Sequence, residues 1–140
     1  MNTSDIRAHL PAPTLDSAPF WTACNAGRLD LQHCKACSTC FYFPRRLCPA
    51  CGAVDLQWQT ASGRARVYSF SEIHVSFYGP AWGEQLPYTV ALIDLEEGPR
   101  MLSRFVGADA HALRIGDPVE IVFVEVDGQK LPFFQRASAP

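Results

Sequence analysis

A mainly β protein is predicted by this sequence, with one N-terminal helix, a small metal-held ribbon and a five-stranded barrel. Three observations predict it. Five strand-like stretches follow one another after Ser62, separated by turn-forming segments. Five of the six cysteines crowd into the stretch HCKACSTCFYFPRRLCPACG, His33 to Gly52. Nine Phe, four Tyr and three Trp beside eleven Pro and nine Gly favour short strands and turns over a helical bundle. Apolar residues at 48% and charged residues at 19% describe a globular chain, and 140 residues suffice for one domain or two small ones sharing a core.

Residues 1–13 read as a flexible arm, punctuated by Pro11 and Pro13. Residues 14–33 hold the N-terminal helix and a lead-in strand. In LDSAPFWTACNAG, Asp16 or Ser17 can cap the helix, Pro19 suits its first turn and Gly27 its end. Phe20, Trp21 and Cys24 share one face, which is expected to cover the core. RLDLQ alternates Leu29 and Leu31 with polar neighbours, a strand pattern. Residues 34–60 form the ribbon and residues 61–137 the barrel. Its strands are ARVYSFSEIHVSF, YTVALIDLE, RMLSRFV, PVEIVFVEV and LPFFQRA, with a short helical or irregular break before RIGDPVEI.

Within the cysteine cluster, Cys34, Cys37, Cys48 and Cys51 spell C-x2-C-x10-C-x2-C. Each C-x-x-C turn aims two sulfurs at one point, and two such turns close a tetrahedral S4 cage. Gly52 after the second pair supplies the positive φ such a turn needs. The competing register uses Cys37 and Cys40. The first is preferred, because STCFYFPRRL then has length for a strand and return, and Cys40 falls among Phe41, Tyr42 and Phe43, where a thiol behaves as a small hydrophobe. Zinc is the expected ion, with iron the alternative that an S4 cage also accepts. Four sulfurs leave no open coordination position, so the metal is structural.

Charge is unevenly spread. Residues 28–66 carry six basic against two acidic residues, whereas residues 67–140 carry five against ten. That field is weak for duplex binding. The N-terminus lacks the basic start and apolar core of a signal peptide, and no apolar run approaches a membrane span. The chain is expected to be cytoplasmic, with reduced thiols and neither nucleic acid nor membrane as partner.

Taken in order, PFWTACNAGRLDLQHCKACSTCFYFPRRLCPACG, WQTASGRARVYSF, PYTVALIDLEEGPRMLSRFVG and LRIGDPVEIVFVEVDGQKLPFF resemble the DUF35 proteins from about Leu15 to Arg136. The resemblance implies an N-terminal helix, a rubredoxin-like zinc ribbon and an OB-fold, with Cys34, Cys37, Cys48 and Cys51 as zinc ligands. Two departures are Ser38, where the family usually has glycine, and the extra thiol Cys40. The resemblance further implies acyl-CoA as ligand and a hetero-oligomer with a thiolase-like catalytic subunit: a thiolase, an aldolase or an acyltransferase.

Nothing in the residues completes a nucleophile and base of the thiolase kind. Four cysteines are committed to metal, Cys24 sits on a helix face, and His33 and His74 have no evident partner nearby. A non-catalytic subunit that stabilises its partner and helps bind the acyl-CoA is therefore expected, although catalysis by this chain is left open. Arg45, Arg46, Arg64 and Arg66 are the candidate contacts for CoA phosphates. The aromatic loop with Phe77, Tyr78, Trp82 and Tyr88 is the candidate substrate or partner surface. Two alternatives stand beside this reading: a nucleic-acid-binding OB-fold and zinc ribbon, with Tyr68 and Phe70 on one strand face, and a stand-alone acyl-CoA binder.

Overall fold

The computed structural model describes residues 10–77, 79–107 and 110–138. Most of the expected N-terminal arm, and Tyr78 of the aromatic loop, lie outside the described residues. Among those described, no helix is long and apolar enough to cross a membrane.

The helix, α1, spans Ala18–Asn25. Its entry differs from the expected capping. Ser17 makes no side-chain cap to the helix but bonds backwards: its Oγ accepts from the Thr14 N–H at 2.9 Å while Ser17 N–H donates to Thr14 Oγ1 at 3.2 Å. With Ala18 N–H donating to Thr14 O at 2.8 Å, Thr14 closes a reciprocal box one turn earlier. The exit follows expectation. Gly27 takes φ +80°, and Arg28 N–H reaches back to Ala23 O at 2.9 Å, the six-to-one bond of a glycine-terminated helix.

Strands β1 (Asp30–Cys34), β2 (Cys40–Phe41) and β3 (Leu56–Thr60) form an antiparallel sheet in the order β2-β1-β3. The central strand runs two residues further than the pattern RLDLQ indicates, because Cys34 pairs with Leu56 across the sheet. Buried Gln32 sits on this strand, its amide bonded to the backbone of Arg45.

The barrel consists of β4 (Arg64–Ile73), β5 (Tyr88–Leu95), β6 (Arg100–Phe105), β7 (Pro118–Val126) and β8 (Gln129–Arg136). They close in the order β4-β5-β6-β8-β7, as an OB-fold does. All pairings are antiparallel except β6 with β8, joined at Phe105 and Phe134. A bulge between Val67 and Ser69 curls β4 so that it meets both β5 and β7. Closure also requires Gly63. A Cβ there would lie 2.6 Å from Ile121 Cγ2, and the residue has φ +84°.

One loop differs from expectation, and the break before β7 follows it. The first strand ends at Ile73, so His74, Val75 and Phe77 belong to the connection that follows. That connection contains one helical turn, α2 (Pro80–Gly83), begun by Gly79 at φ +98° and by Pro80, which needs no intrahelical donor. A 3-10 turn at Ala110–Ala112 forms the break before β7.

One core unites all three parts. Phe20 and Cys24 of α1 and Leu29 and Leu31 of the ribbon side pack with Val67, Ile93, Met101, Phe105, Val119 and Phe134 of the barrel. Phe20 is fully buried, with Trp21, Tyr42 and Phe43 at ring distances of 4.9, 5.7 and 5.8 Å. Asn25 fastens the helix to the β7–β8 hairpin, accepting from Lys130 N–H at 2.8 Å.

Candidate metal centre and aromatic cleft

The two cysteine turns are built alike. Cys34 N–H donates to Thr39 O at 2.9 Å and Ser38 N–H to Cys34 O at 2.8 Å. In the second turn, Cys48 N–H donates to Ala53 O and Gly52 N–H to Cys48 O, both at 2.9 Å. Ser38 at φ +63° and Gly52 at φ +78° occupy equivalent left-handed positions. The departure from glycine at Ser38 thus leaves the turn's geometry intact and places a side chain in a conformation that disfavours one.

These turns bring the Sγ atoms of Cys34, Cys37, Cys48 and Cys51 within 4.8 Å of one another. Cys34 to Cys51 and Cys37 to Cys48 measure 3.6 Å. A tetrahedral zinc with 2.3 Å bonds to sulfur has S–S edges of about 3.8 Å, so the donor set fits that ion. Ala50 N–H points to Cys48 Sγ at 3.4 Å, supporting the thiolate. The Thr39 hydroxyl lies 3.1 Å from Cys37 Sγ, and this contact leads those that pull the Cys37 pKa down to about 6. The four cysteines form a zinc-binding site of the zinc-ribbon kind.

Cys40 does not join them. It lies on β2 opposite His33 and packs against the common core. Burial, with Glu97 nearby, pushes its pKa up to about 11. Cys24 is buried beneath α1, and burial, then the charge of Asp30, pushes it up to about 12. Neither thiol is activated as a nucleophile. His74 is exposed rather than packed on a strand, with Nε2 3.4 Å from Glu72 Oε2, and His111 Nδ1 lies 2.9 Å from Glu72 Oε1. His33 is half-buried on β1.

The four candidate arginines separate into two pairs. Arg45 and Arg46 are exposed on the ribbon loop, and among the described residues neither guanidinium has a partner. Arg64 pairs with Glu96 at 2.9 Å, and Arg66 donates to Gly116 O at 3.1 Å. Arg64 and Arg66 line a hollow beside Asp94 and Glu96, whose carboxylates offset their charge.

Trp82 and Tyr88 come together, with ring centroids 6.1 Å apart, whereas Phe77 is 91% exposed. Both rings line a cleft of about 500 Å³ where the helix, ribbon and barrel meet. Trp21 and Tyr42 form another wall, and β6 and β8 contribute Arg104 and Phe133. Burial raises the Tyr42 phenol to about 12. The Arg104 guanidinium lies 4.6 Å from the Tyr88 ring centroid and 5.9 Å from that of Phe133, and it donates to Gln85 Oε1. Sequence reasoning missed Arg104. As the polar member of an alternating strand it resembles a solvated charge, and its aromatic neighbours come from other strands.

Residues 21–57 match the family model described as ChsH2, rubredoxin-like zinc ribbon domain, and residues 58–124 match ChsH2, C-terminal OB-fold domain. The chain is 36% identical over 128 residues to a probable enoyl-CoA hydratase alpha subunit of Thermomonospora curvata, a match covering 91% of this chain and 39% of that protein. It is 35% identical to a DUF35 domain-containing scaffold protein of Methanocaldococcus jannaschii over 68% of each. To the benzoylsuccinyl-CoA thiolase subunit BbsA of Thauera aromatica it is 31% identical, over 80% of this chain and 69% of that one. A solved structure titled Ltp2-ChsH2(DUF35) aldolase has a chain similar to it at TM-score 0.82 and 36% identity, covering 92% of this chain and 100% of that one. The chain therefore spans well under half the length of the Thermomonospora curvata relative.

Proposed function

The chain belongs to the DUF35 family, and from that premise we propose that it is a zinc-containing accessory subunit of a thiolase-like acyl-CoA-processing complex. In this reading it stabilises a catalytic thiolase, aldolase or acyltransferase partner and helps hold the acyl-CoA, forming a hetero-oligomer. Its support is the use to which the thiols are put. Four close a site with no open position, and the other two are held protonated by burial. The relatives' names carry the same sense: one is a scaffold protein, one a thiolase subunit, one a hydratase subunit.

Within the assembly, Arg45 and Arg46 are the better placed of the four candidates for CoA phosphates, since Arg64 and Arg66 already have oxygen partners. The loop at Phe77 is the partner-facing candidate in this reading, since that ring is 91% exposed. Trp82 and Tyr88 line the cleft instead.

The test is co-expression with a thiolase-like protein encoded beside this chain. A stable complex that turns over an acyl-CoA, while the purified chain alone does not, supports the reading. Turnover by the chain alone overturns it. The nucleic-acid alternative loses support at Tyr68, whose ring is covered by the Arg100 guanidinium 3.3 Å from its centroid. Arg100 is in turn held by Asp94 at 2.6 Å, so one face of that ring is already occupied. No gel shift with single-stranded DNA or RNA at low salt is expected.

A further inference from the structure

The aromatic cleft carries a feature that the accessory-subunit reading does not use. Its one charged lining residue, Arg104, is half-buried and has no carboxylate within ion-pairing distance among the described residues. Arg64, Arg100 and Arg136 pair with Glu96, Asp94 and Asp117, while Arg45, Arg46 and Arg66, which have no carboxylate partner among the described residues, are exposed to water, as Arg104 is not. Arg104 instead has one neutral acceptor, Gln85 Oε1, and two rings. Burial pushes its pKa down, the direction expected of a cation lacking a counter-charge.

We propose that the cleft is a binding site for a small organic anion with a flat apolar body, an arylcarboxylate, whose carboxylate pairs with Arg104. The volume, about 500 Å³, is that of a small-molecule site. Trp21, Tyr42, Trp82, Tyr88 and Phe133 offer ring faces and edges to a flat body. A guanidinium has five N–H donors in one plane, and a single bond to Gln85 leaves a fork for a carboxylate. Inorganic phosphate fits poorly, because one cation in an apolar wall cannot satisfy its charge. A neutral hydrocarbon would leave the guanidinium buried without compensation. Ser103 does not compete for the anion, since its hydroxyl donates to Pro132 O at 2.6 Å.

The proposal goes beyond the accessory-subunit reading and is tested on the zinc-loaded chain alone, without a partner or CoA. The probes are 2-naphthoate and its neutral analogue 2-naphthamide, titrated while the indole N–H signals of the three tryptophans are followed by NMR. The expected result is saturable binding of 2-naphthoate, shifting Trp21 and Trp82 and leaving Trp58, which does not line the cleft. The acid should bind about tenfold more tightly than the amide, the scale of one charge-assisted hydrogen bond. Arg104→Gln should abolish that preference while still binding the amide, and Arg104→Lys should retain part of it. Arg114→Gln, an exposed cation elsewhere, should change neither. Folding of each variant is checked by its NMR dispersion, and should Arg104→Gln fail to fold, the acid-against-amide ratio of the unaltered protein and of Arg104→Lys still decides. Equal binding of acid and amide, a shift confined to Trp58, or no saturable binding overturns the proposal; the last outcome assigns this face to a partner polypeptide.

Discussion

Gln32, buried on the central ribbon strand, holds Arg45 by its backbone: the amide oxygen accepts from Arg45 N–H at 2.7 Å and the amide nitrogen donates to Arg45 O at 3.0 Å. A side chain thus completes a ladder that the two-residue strand β2 is too short to provide. It also fixes the loop that presents Arg45 and Arg46.

Replacing Gln32 by Leu keeps the volume but leaves two backbone groups without partners. A loss of about 2 kcal/mol is expected, measured as a lower urea midpoint of the zinc-loaded protein. An unchanged midpoint would mean that water replaces the amide at no cost.

The paired cysteine turns give opposite expectations for equivalent positions. Ser38→Gly relieves a left-handed serine and should stabilise by about 1 kcal/mol. Gly52→Ala, with nothing within 4 Å of the added Cβ, should destabilise by a similar amount through conformation alone. Chemical denaturation with zinc bound reads both, and a shared sign would contradict the equivalence of the turns.

Zinc stoichiometry by elemental analysis should be one per chain. Serine at any of positions 34, 37, 48 or 51 should weaken retention sharply, whereas Cys40→Ser should leave it unchanged. Acid should release the metal as thiolates gain protons. Metal retained by Cys37→Ser but lost from Cys40→Ser would restore neither register intact and would reject the ligand set.

The alkaline limb of stability should be steep. Burial raises Cys24 from the usual 9.0 to about 12 and Tyr42 from 10.0 to about 12. The unfolded chain therefore releases these protons first. Their contribution is complete below pH 9 and disappears as pH rises to 12. Cys24→Ala and Tyr42→Phe should each flatten the fall of the unfolding midpoint over this range, and an unaltered slope in both would show that neither group titrates as described.

Much of this arrangement was legible in the chain. The spacing of Cys34, Cys37, Cys48 and Cys51 carried the metal centre, since its chemistry is local. Alternating strands and Gly-Pro turns carried the barrel. The helix entry was not legible: Thr14 outcompetes Asp16 and Ser17 because Thr14 and Ser17 can bond each other reciprocally, a choice that propensity does not rank. His74 looked like a strand residue because SEIHVSF continues the alternation beyond Ile73, where pairing with β5 ends. The cleft was hidden for a different reason. Trp21, Tyr42, Trp82 and Arg104 are brought together by closure of the barrel against the helix, which no short window of sequence records.

Phe20 lies at the junction of helix, ribbon and barrel, with neighbours from each. One consequence concerns recombination between relatives. Exchanging only the metal-bearing segment would set the recipient's Phe20 against foreign side chains at positions 42 and 43. A transplant that keeps those ring contacts must carry residues 18–34 with the ribbon, and its seam, after Thr60 where one sheet ends and the next begins, then has to match the barrel side chains that also pack on Phe20.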